Sequence, residues 1–147
     1  MYRQIVVAVD GSQTSDLALD EAIRLAKDQQ AQLHLVHVIE SPYQYDELVG
    51  IDPEQMESAL RTAGQKVLDE ALARTRQEGI QANGVLIEEA AWRISEAIAD
   101  EAKRQSADLI VIGTHGRHGL RHLVMGSVAE GVIHSATVPV LLVHRAK

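Results

Sequence analysis

Glycine and basic residues are concentrated in one stretch of fifteen residues, from Gly113 to Ser127. Three glycines in it permit a positive φ and a close approach of the backbone to a ligand: Gly113, Gly116 and Gly119. Gly126 and Ser127 stand where a helix is predicted to begin, and free N–H groups and the helix dipole attract phosphate there. Arg117 and Arg121 add cations. The stretch predicts a phosphate site, with a surface loop that binds nothing as the alternative.

Phosphate-binding motifs of other folds are absent from the sequence. There is no Gly-x-x-x-x-Gly-Lys-Ser/Thr, so a P-loop is excluded, and the glycine spacing is not the Gly-x-Gly-x-x-Gly of dinucleotide folds. The first predicted strand is followed by Asp10-Gly11-Ser12, with a single glycine. Asp10 is either a turn former or a ligand of a metal ion or a ribose.

Three histidines of the glycine-rich stretch suggest a metal site: His115, His118 and His122. His118 and His122 would share one face of a helix, but His115 lies among the glycines and no nearby carboxylate completes the set. Imidazoles beside two arginines suit a polyphosphate as well, and we favour that interpretation over a metal. The other histidines are predicted to be structural, namely His34, His37, His134 and His144.

Acidic side chains avoid the same stretch. Residues 1–108 contain 20 acidic and 10 basic side chains, whereas residues 109–147 contain four basic ones and one acid, Glu130. The whole chain carries a formal charge of −7, which argues against a nucleic-acid polymer or an anionic membrane as partner. With no Phe and one Trp, it also lacks a stacking platform for bases. A small phosphate compound is compatible with this distribution of charge.

Composition narrows the class of protein further. The absence of Cys excludes a disulfide scaffold, cysteine zinc sites and thiol catalysis. The longest apolar runs, Ile5–Val9 and Val138–Val143, are far shorter than the ~20 residues of a membrane span. The N-terminus shows no apolar signal region, so we expect a cytoplasmic protein. Without a low-complexity linker, the 147 residues predict one domain over residues 1–147.

Short β-branched runs alternate with helical periodicity, which is typical of a parallel sheet covered by helices on both faces. The predicted strands are residues 5–9, 33–39, 85–87, 109–112 and 138–143. The predicted helices extend from about 12 to 30, 53 to 78, 94 to 102 and 127 to 135. Between them, residues 40–58 hold six acids and no base, and we expect a solvated acidic loop there rather than a partner site.

Pro139 lies in the last predicted strand, Val138–Val143. Because proline cannot donate to a ladder, it predicts an edge strand. An apolar edge invites pairing with a second chain, so we expect a homodimer through this strand. The alternative is that a helix or the C-terminal tail covers the edge.

Several segments together resemble the universal stress protein family, and they span essentially the whole chain. The spacing Gly113, two residues, Gly116, nine residues, Gly126-Ser127 is similar to the nucleotide-binding motif of that family. The accompanying segments are Ile5–Ser12, Leu35–Val38, Ala107–Gly113 and Val138–Val143.

The resemblance implies an open five-stranded parallel sheet of strand order 3-2-1-4-5, of the adenine nucleotide α-hydrolase type, and dimerisation through the last strand. It implies ATP as ligand, and we expect Mg²⁺ as the accompanying ion and AMP or ADP as alternative ligands. The residues that resemble those around adenine and ribose are Ala8, Val9, Asp10 and Val38. Those that resemble the ribose and phosphate contacts are Ile112, Gly113, His115, Gly116, Gly126, Ser127, Val128 and Ala129. Gly131 departs from the family's usual longer side chain, which predicts a looser fourth helix.

The function that we predict is ATP binding by a stress-response protein that acts as a nucleotide-dependent sensor or regulatory module toward an unidentified protein partner. One alternative is a slow ATP hydrolase, in which His115 or His118 acts through a water. Another is a dimeric interaction protein that needs no nucleotide. The His-Ile-Gly-His, Lys-Met-Ser-Lys-Ser and Ser-Gly-Gly-x-Asp-Ser motifs are absent, which disfavours the nucleotidyl-transferring and pyrophosphatase relatives of this fold.

Overall fold

Strands and helices alternate in the computed structural model, which describes residues 1–44, 50, 52–115 and 125–145. Its strands are β1 (Gln4–Ala8), β2 (Gln32–Glu40), β3 (Ala82–Glu89), β4 (Leu109–Gly113) and β5 (Val140–Val143). Its helices are α1 (Gln13–Gln29), α2 (Pro53–Gln77), α3 (Ile94–Arg104) and α4 (Ser127–Ser135). Short 3₁₀ turns occupy Pro42–Gln44 and Ala91–Arg93. None of the helices in these residues has the length and apolar character that a membrane span requires.

The five strands form one parallel sheet in the order β3-β2-β1-β4-β5, which confirms the predicted fold class and strand order. Helices α1 and α2 cover one face of the sheet, and α3 and α4 cover the other. The middle strand β1 is therefore buried on both sides, and Ile5, Val6 and Val7 have no exposed surface. This double burial explains why β1 is a continuous apolar run instead of an alternating one.

The turn after β1 sets where α1 begins. Gly11 has a φ of 80°, a left-handed conformation that costs glycine little. Ser12 is the N-cap of α1, and its hydroxyl accepts a hydrogen bond from the Ser15 N–H at 3.2 Å. Asp16 lies in the first turn, at the positive end of the helix dipole.

The two edge strands differ in length from the sequence prediction. β3 pairs with β2 from Ala82 to Glu89 and is therefore longer than the predicted residues 85–87. Its position at the edge of the sheet leaves the strand partly exposed, so its sequence contains no long apolar run. β5 is shorter than Val138–Val143 and begins after Pro139, whose missing N–H cannot join a ladder. The Pro139 carbonyl still accepts from the Ile110 N–H at 3.0 Å. The predicted edge position of the last strand is confirmed.

A buried polar pair fastens α3 to the sheet. His34 on β2 and Glu101 on α3 are 4% and 3% exposed, and His34 Nε2 lies 2.9 Å from Glu101 Oε1. The ring's Nδ1 contacts Asn83 Oδ1, and Arg104 and Gln105 also donate to the Glu101 carboxylate. Buried charges require partners of this kind, so His34 has the structural role predicted for it. His134 and His144, in contrast, are exposed on the surface.

Gly131 lies where α4 packs on α3. A Cβ at this position would lie 2.3 Å from Ser95 Oγ and 2.6 Å from Ser95 Cβ, closer than atoms can approach. Glycine therefore lets the two helices come together. The cost in helix propensity that the sequence predicts at Gly131 is offset by this close packing.

Candidate functional site

A cavity of about 500 Å³ opens at the carboxyl ends of β1, β2 and β4, within the range of small-molecule sites. The chain leaves β1 toward β2 on one side and reaches β4 on the other, so the strand order reverses between β1 and β4. In open parallel sheets, ligands bind at such a reversal. The topology therefore provides the crevice, and the side chains that follow each strand determine its chemistry.

Eleven of the twelve site residues that the family resemblance implies line this cavity, namely Ala8, Val9, Asp10, Val38, Ile112, Gly113, His115, Gly126, Ser127, Val128 and Ala129. The twelfth, Gly116, lies outside the described residues. So do the other polar candidates of the glycine-rich stretch, namely Arg117, His118, Gly119, Arg121 and His122. The predicted cations and the three-histidine alternative therefore have no structural description, and the described residues hold no metal-binding cluster.

Part of the cavity wall is apolar and comes from helices that the sequence reasoning did not assign to a site. Leu60 and Ala63 contribute from α2, and Ile94 and Ile98 contribute from α3. In the sequence these residues belong to the apolar stripes of their helices, so nothing distinguishes them from ordinary core residues. The stripe predicts burial, whereas only packing shows that one end of each stripe faces a cavity.

The polar end of the cavity is the first turn of α4. Gly126 is the N-cap, but its N–H donates to the Thr114 carbonyl at 2.6 Å, so the prediction of a free N–H at Gly126 is wrong. The N–H groups of Ser127, Val128 and Ala129 follow, and a helix offers no internal acceptor to its first turn. The first intrahelical bond runs from the Glu130 N–H to the Gly126 carbonyl at 3.0 Å. The first turn of α4 thus presents hydrogen-bond donors and the positive end of the helix dipole to the cavity.

Gly113 has a different role from the one expected of it. Its φ is outside the left-handed region, so the positive φ that glycine permits is not adopted at this residue. A Cβ at Gly113 would instead lie 2.8 Å from Thr14 Oγ1 and 2.9 Å from the Thr14 carbonyl atoms. Glycine is required here because the start of α1 packs directly on the end of β4. The close approach that the sequence indicated is an approach to helix α1.

His115 lines the cavity and contains an unpaired ring nitrogen, Nε2. Its Nδ1 lies 3.0 Å from Thr114 Oγ1, and its carbonyl accepts from the Thr14 hydroxyl. Its Nε2 is buried and has no hydrogen-bond partner among the described residues. Burying an unpaired polar atom costs free energy, so an atom left in this state beside a cavity is a candidate ligand contact.

Asp10 forms the turn that its type suggested. Its carboxylate accepts from the Ser12 N–H at 2.8 Å, and its own N–H donates to Ser15 Oγ at 3.0 Å. The turn interpretation is confirmed, and Asp10 also lines the cavity. Among the described lining residues, Asp10 and Glu40 are the Asp and Glu side chains, and no Lys or Arg is present.

Known proteins are similar to this chain in fold and in sequence. The family model "Universal stress protein family" matches residues 1–144. The universal stress protein YxiE of Bacillus subtilis is 35% identical over 150 residues, which cover 97% of this chain and 99% of that protein. A solved structure of a universal stress protein family member from Burkholderia pseudomallei is 36% identical, with a TM-score of 0.76 over 97% of this chain and 96% of that one.

A further solved structure is the universal stress protein from Archaeoglobus fulgidus in complex with dAMP. It is 27% identical, with a TM-score of 0.69 over 97% of this chain and 98% of that one. The sequence match and the structural match both extend over nearly the whole chain. The chain therefore belongs to the universal stress protein family.

Proposed function

We propose that this protein binds an adenine nucleotide, ATP together with Mg²⁺, in the cavity at the ends of β1 and β4. Binding serves as a regulatory signal that changes the surface offered to a protein partner. One observation carries the proposal: a single cavity joins an apolar wall to the first turn of α4, whose N–H groups have no acceptor within the helix, and to His115, whose Nε2 has no partner among the described residues. A nucleotide has the same division between an apolar ring and an anionic end.

The apolar part of the cavity suits the base. Ala8, Val9 and Val38 come from the strand ends, and Ile94 and Ile98 face them from α3. Apolar walls of this kind exclude water from an aromatic ring. The dAMP complex of the related protein from Archaeoglobus fulgidus supports adenine as that ring.

The polar part suits the phosphates and the ribose. The N–H groups of Ser127, Val128 and Ala129 would donate to phosphate oxygens, and His115 Nε2 would contact the same end of the ligand. The Asp10 carboxylate would accept from a ribose hydroxyl or hold Mg²⁺ next to the phosphates. Gly116, Arg117 and Arg121 complete this end of the site in the sequence prediction.

The proposal is tested by placing a negative charge at the phosphate end without harming the helix. Asp is favourable in the first turn of a helix, so Ser127→Asp preserves α4 while it repels phosphate. We expect titration calorimetry to show an affinity for ATP at least ~10-fold lower than that of the wild type, equivalent to about 1.4 kcal/mol. The matched neutral variant Ser127→Asn should stay within ~3-fold. Equal affinities in the Asp and Asn variants would refute the site.

The hydrolase alternative is separated from the sensor by turnover. A sensor retains the nucleotide, whereas an enzyme releases ADP in many-fold excess over protein when ATP and Mg²⁺ are supplied. Mass spectrometry of the small molecules released from freshly purified protein identifies ATP, ADP or AMP as the resident ligand.

We further infer a cytoplasmic homodimer that pairs through β5. The support is that β5 is an edge strand whose four residues, Val140–Val143, are all apolar and only half-buried in the single chain. Such an edge is a template for pairing with a second copy. A dimer would double the surface that nucleotide binding could alter.

A further inference from the structure

The ladder between β1 and β2 stops at the edge of the cavity. Its last register pair is Ala8 with Val36, and the Val9 N–H still donates to the Val36 carbonyl at 2.8 Å. In a parallel ladder, the Val9 carbonyl would next accept from the Val38 N–H. It instead lies 2.7 Å from Nδ1 of the His37 ring. Because a carbonyl oxygen only accepts, Nδ1 carries the proton in this bond.

The peptide group of Val38 points to the side of β2 on which β1 lies, just beyond the end of the β1–β2 ladder. Gln32 donates to Arg3 of the β1 segment and the Val36 carbonyl accepts from Val9, so even-numbered peptide groups of β2 face β1. Leu33 donates in the opposite direction, to Gln81. By this alternation the Val38 N–H and carbonyl also point to the β1 side, and both Val9 and Val38 line the cavity.

Helix α2 holds the His37 ring in place. His37 is 7% exposed, and a Cβ at Gly64 of α2 would lie 2.8 Å from its Cδ2. The same Cβ would lie 2.9 Å from Ile39 Cγ2 on β2. Only a glycine at residue 64 lets the helix backbone close over the ring. The imidazole is thus fixed between α2 and the Val9 carbonyl.

We propose that His37 is a positioning residue that determines base selectivity. By occupying the Val9 carbonyl, the ring prevents the ladder from closing, so the Val38 N–H and carbonyl remain a neighbouring donor and acceptor at the cavity. The edge of adenine offers the complementary pair, the N1 acceptor and the 6-amino donor. This inference rests on the proposed function and adds to it the group that keeps the base-reading edge open.

The test compares two nucleotides that differ only in the 6-amino group, AMP and purine riboside 5′-monophosphate. Wild-type protein should prefer AMP by ~10-fold or more, because the nucleotide without the amino group leaves a buried carbonyl unpaired. His37→Leu removes the ring donor, and the preference should fall to less than ~3-fold. His37→Asn places an amide donor near the position of Nδ1 and should restore it. A purely structural role would change stability without changing this ratio.

Unchanged selectivity in His37→Leu, or lost selectivity in His37→Asn, would overturn the proposal while leaving nucleotide binding intact. Failure of the wild type to bind either nucleotide would refute the proposed function itself. If His37→Leu does not fold, NMR of the wild type decides the matter. The Val38 amide proton should shift on addition of AMP more than that of Leu35, whose peptide group lies within the β2–β3 ladder. An unshifted Val38 amide would overturn the proposal.

Discussion

Single residues of the site act mainly through the backbone. Gly113 and Gly64 have no side chain, which lets other parts of the chain approach their backbone closely. Gly126 is the N-cap at which helix α4 begins. His37 and His115 contact backbone carbonyls or neighbouring side chains as well as the cavity. Residue type therefore indicated where the site lies, while the contact partner of each residue decided its role.

Gly113→Ala is the sharpest test at the residue scale. Its Cβ would meet the Thr14 backbone at 2.9 Å, so the start of α1 must shift away from β4. Overpacking of this kind costs about 1–3 kcal/mol, and we expect a matching loss in the free energy of unfolding measured with urea. Affinity for ATP should fall as well, because the Thr14 contact positions the His115 carbonyl.

The control for that prediction is Gly131→Ala, which also creates a steric clash, with Ser95, but does so outside the cavity lining. It should lose stability while retaining ATP affinity. Equal affinity losses in both glycine variants would show that general destabilisation, and not the geometry of the site, explains the effect of Gly113→Ala.

At the scale of elements, β5 has one paired and one unpaired edge. Pro139 and Val143 turn their carbonyls toward β4, where they accept from Ile110 and Thr114. By strand alternation, the Leu142 peptide group therefore points away from the sheet. A partner strand would bond to it.

Leu142→Pro removes this outward N–H and leaves the β4 ladder intact. We expect the mass measured by light scattering to fall from two chains to one, whereas Leu142→Val, which keeps the N–H, should remain dimeric. A Leu142→Pro protein that is still a dimer, or a monomeric wild type, would contradict pairing through β5.

For the whole molecule, the negative net charge has to be reconciled with a cavity that is proposed to bind an anion. The chain carries −7, and the described lining holds Asp10 and Glu40, yet the α4 turn and the sequence around Arg117 and Arg121 are suited to an anion. Charges on distant surfaces are screened beyond about 8 Å at physiological salt, so they do not prevent a small anion from entering the cavity. A long polyanion across the surface would meet them directly.

Ligand binding should stabilise the whole fold, because the cavity joins ends of β1, β2 and β4 with α2, α3 and α4. At 100 times Kd a ligand specific for the native state adds about 2.7 kcal/mol. For a chain of this size that raises Tm by roughly 5–10 °C. Differential scanning calorimetry should show this rise with ATP and Mg²⁺. Guanosine at the same concentration should produce a smaller one, and no rise with ATP would contradict the proposed function.

Most of the fold could be predicted from the sequence. The order of elements, the bounds of α4 and the edge position of β5 follow from periodicity, capping residues and Pro139, all of which are local properties. β3 was underestimated because an edge strand with half-exposed residues lacks a continuous apolar run. The strand order itself came from family resemblance, since local pattern does not reveal which strands are neighbours.

Local patterns in the sequence were enough for the fold class, because buried apolar runs, helical periodicity and turn residues are encoded within short segments, whereas the eleven predicted residues found at the cavity were implied by the family resemblance. Only the tertiary structure decided that Gly113 faces Thr14, that the Gly126 N–H is used by Thr114, and that α2 and α3 supply apolar walls. The contact of His37 with Val9 joins residues 28 positions apart. Such contacts depend on how β1 and β2 diverge in space, which no local pattern specifies.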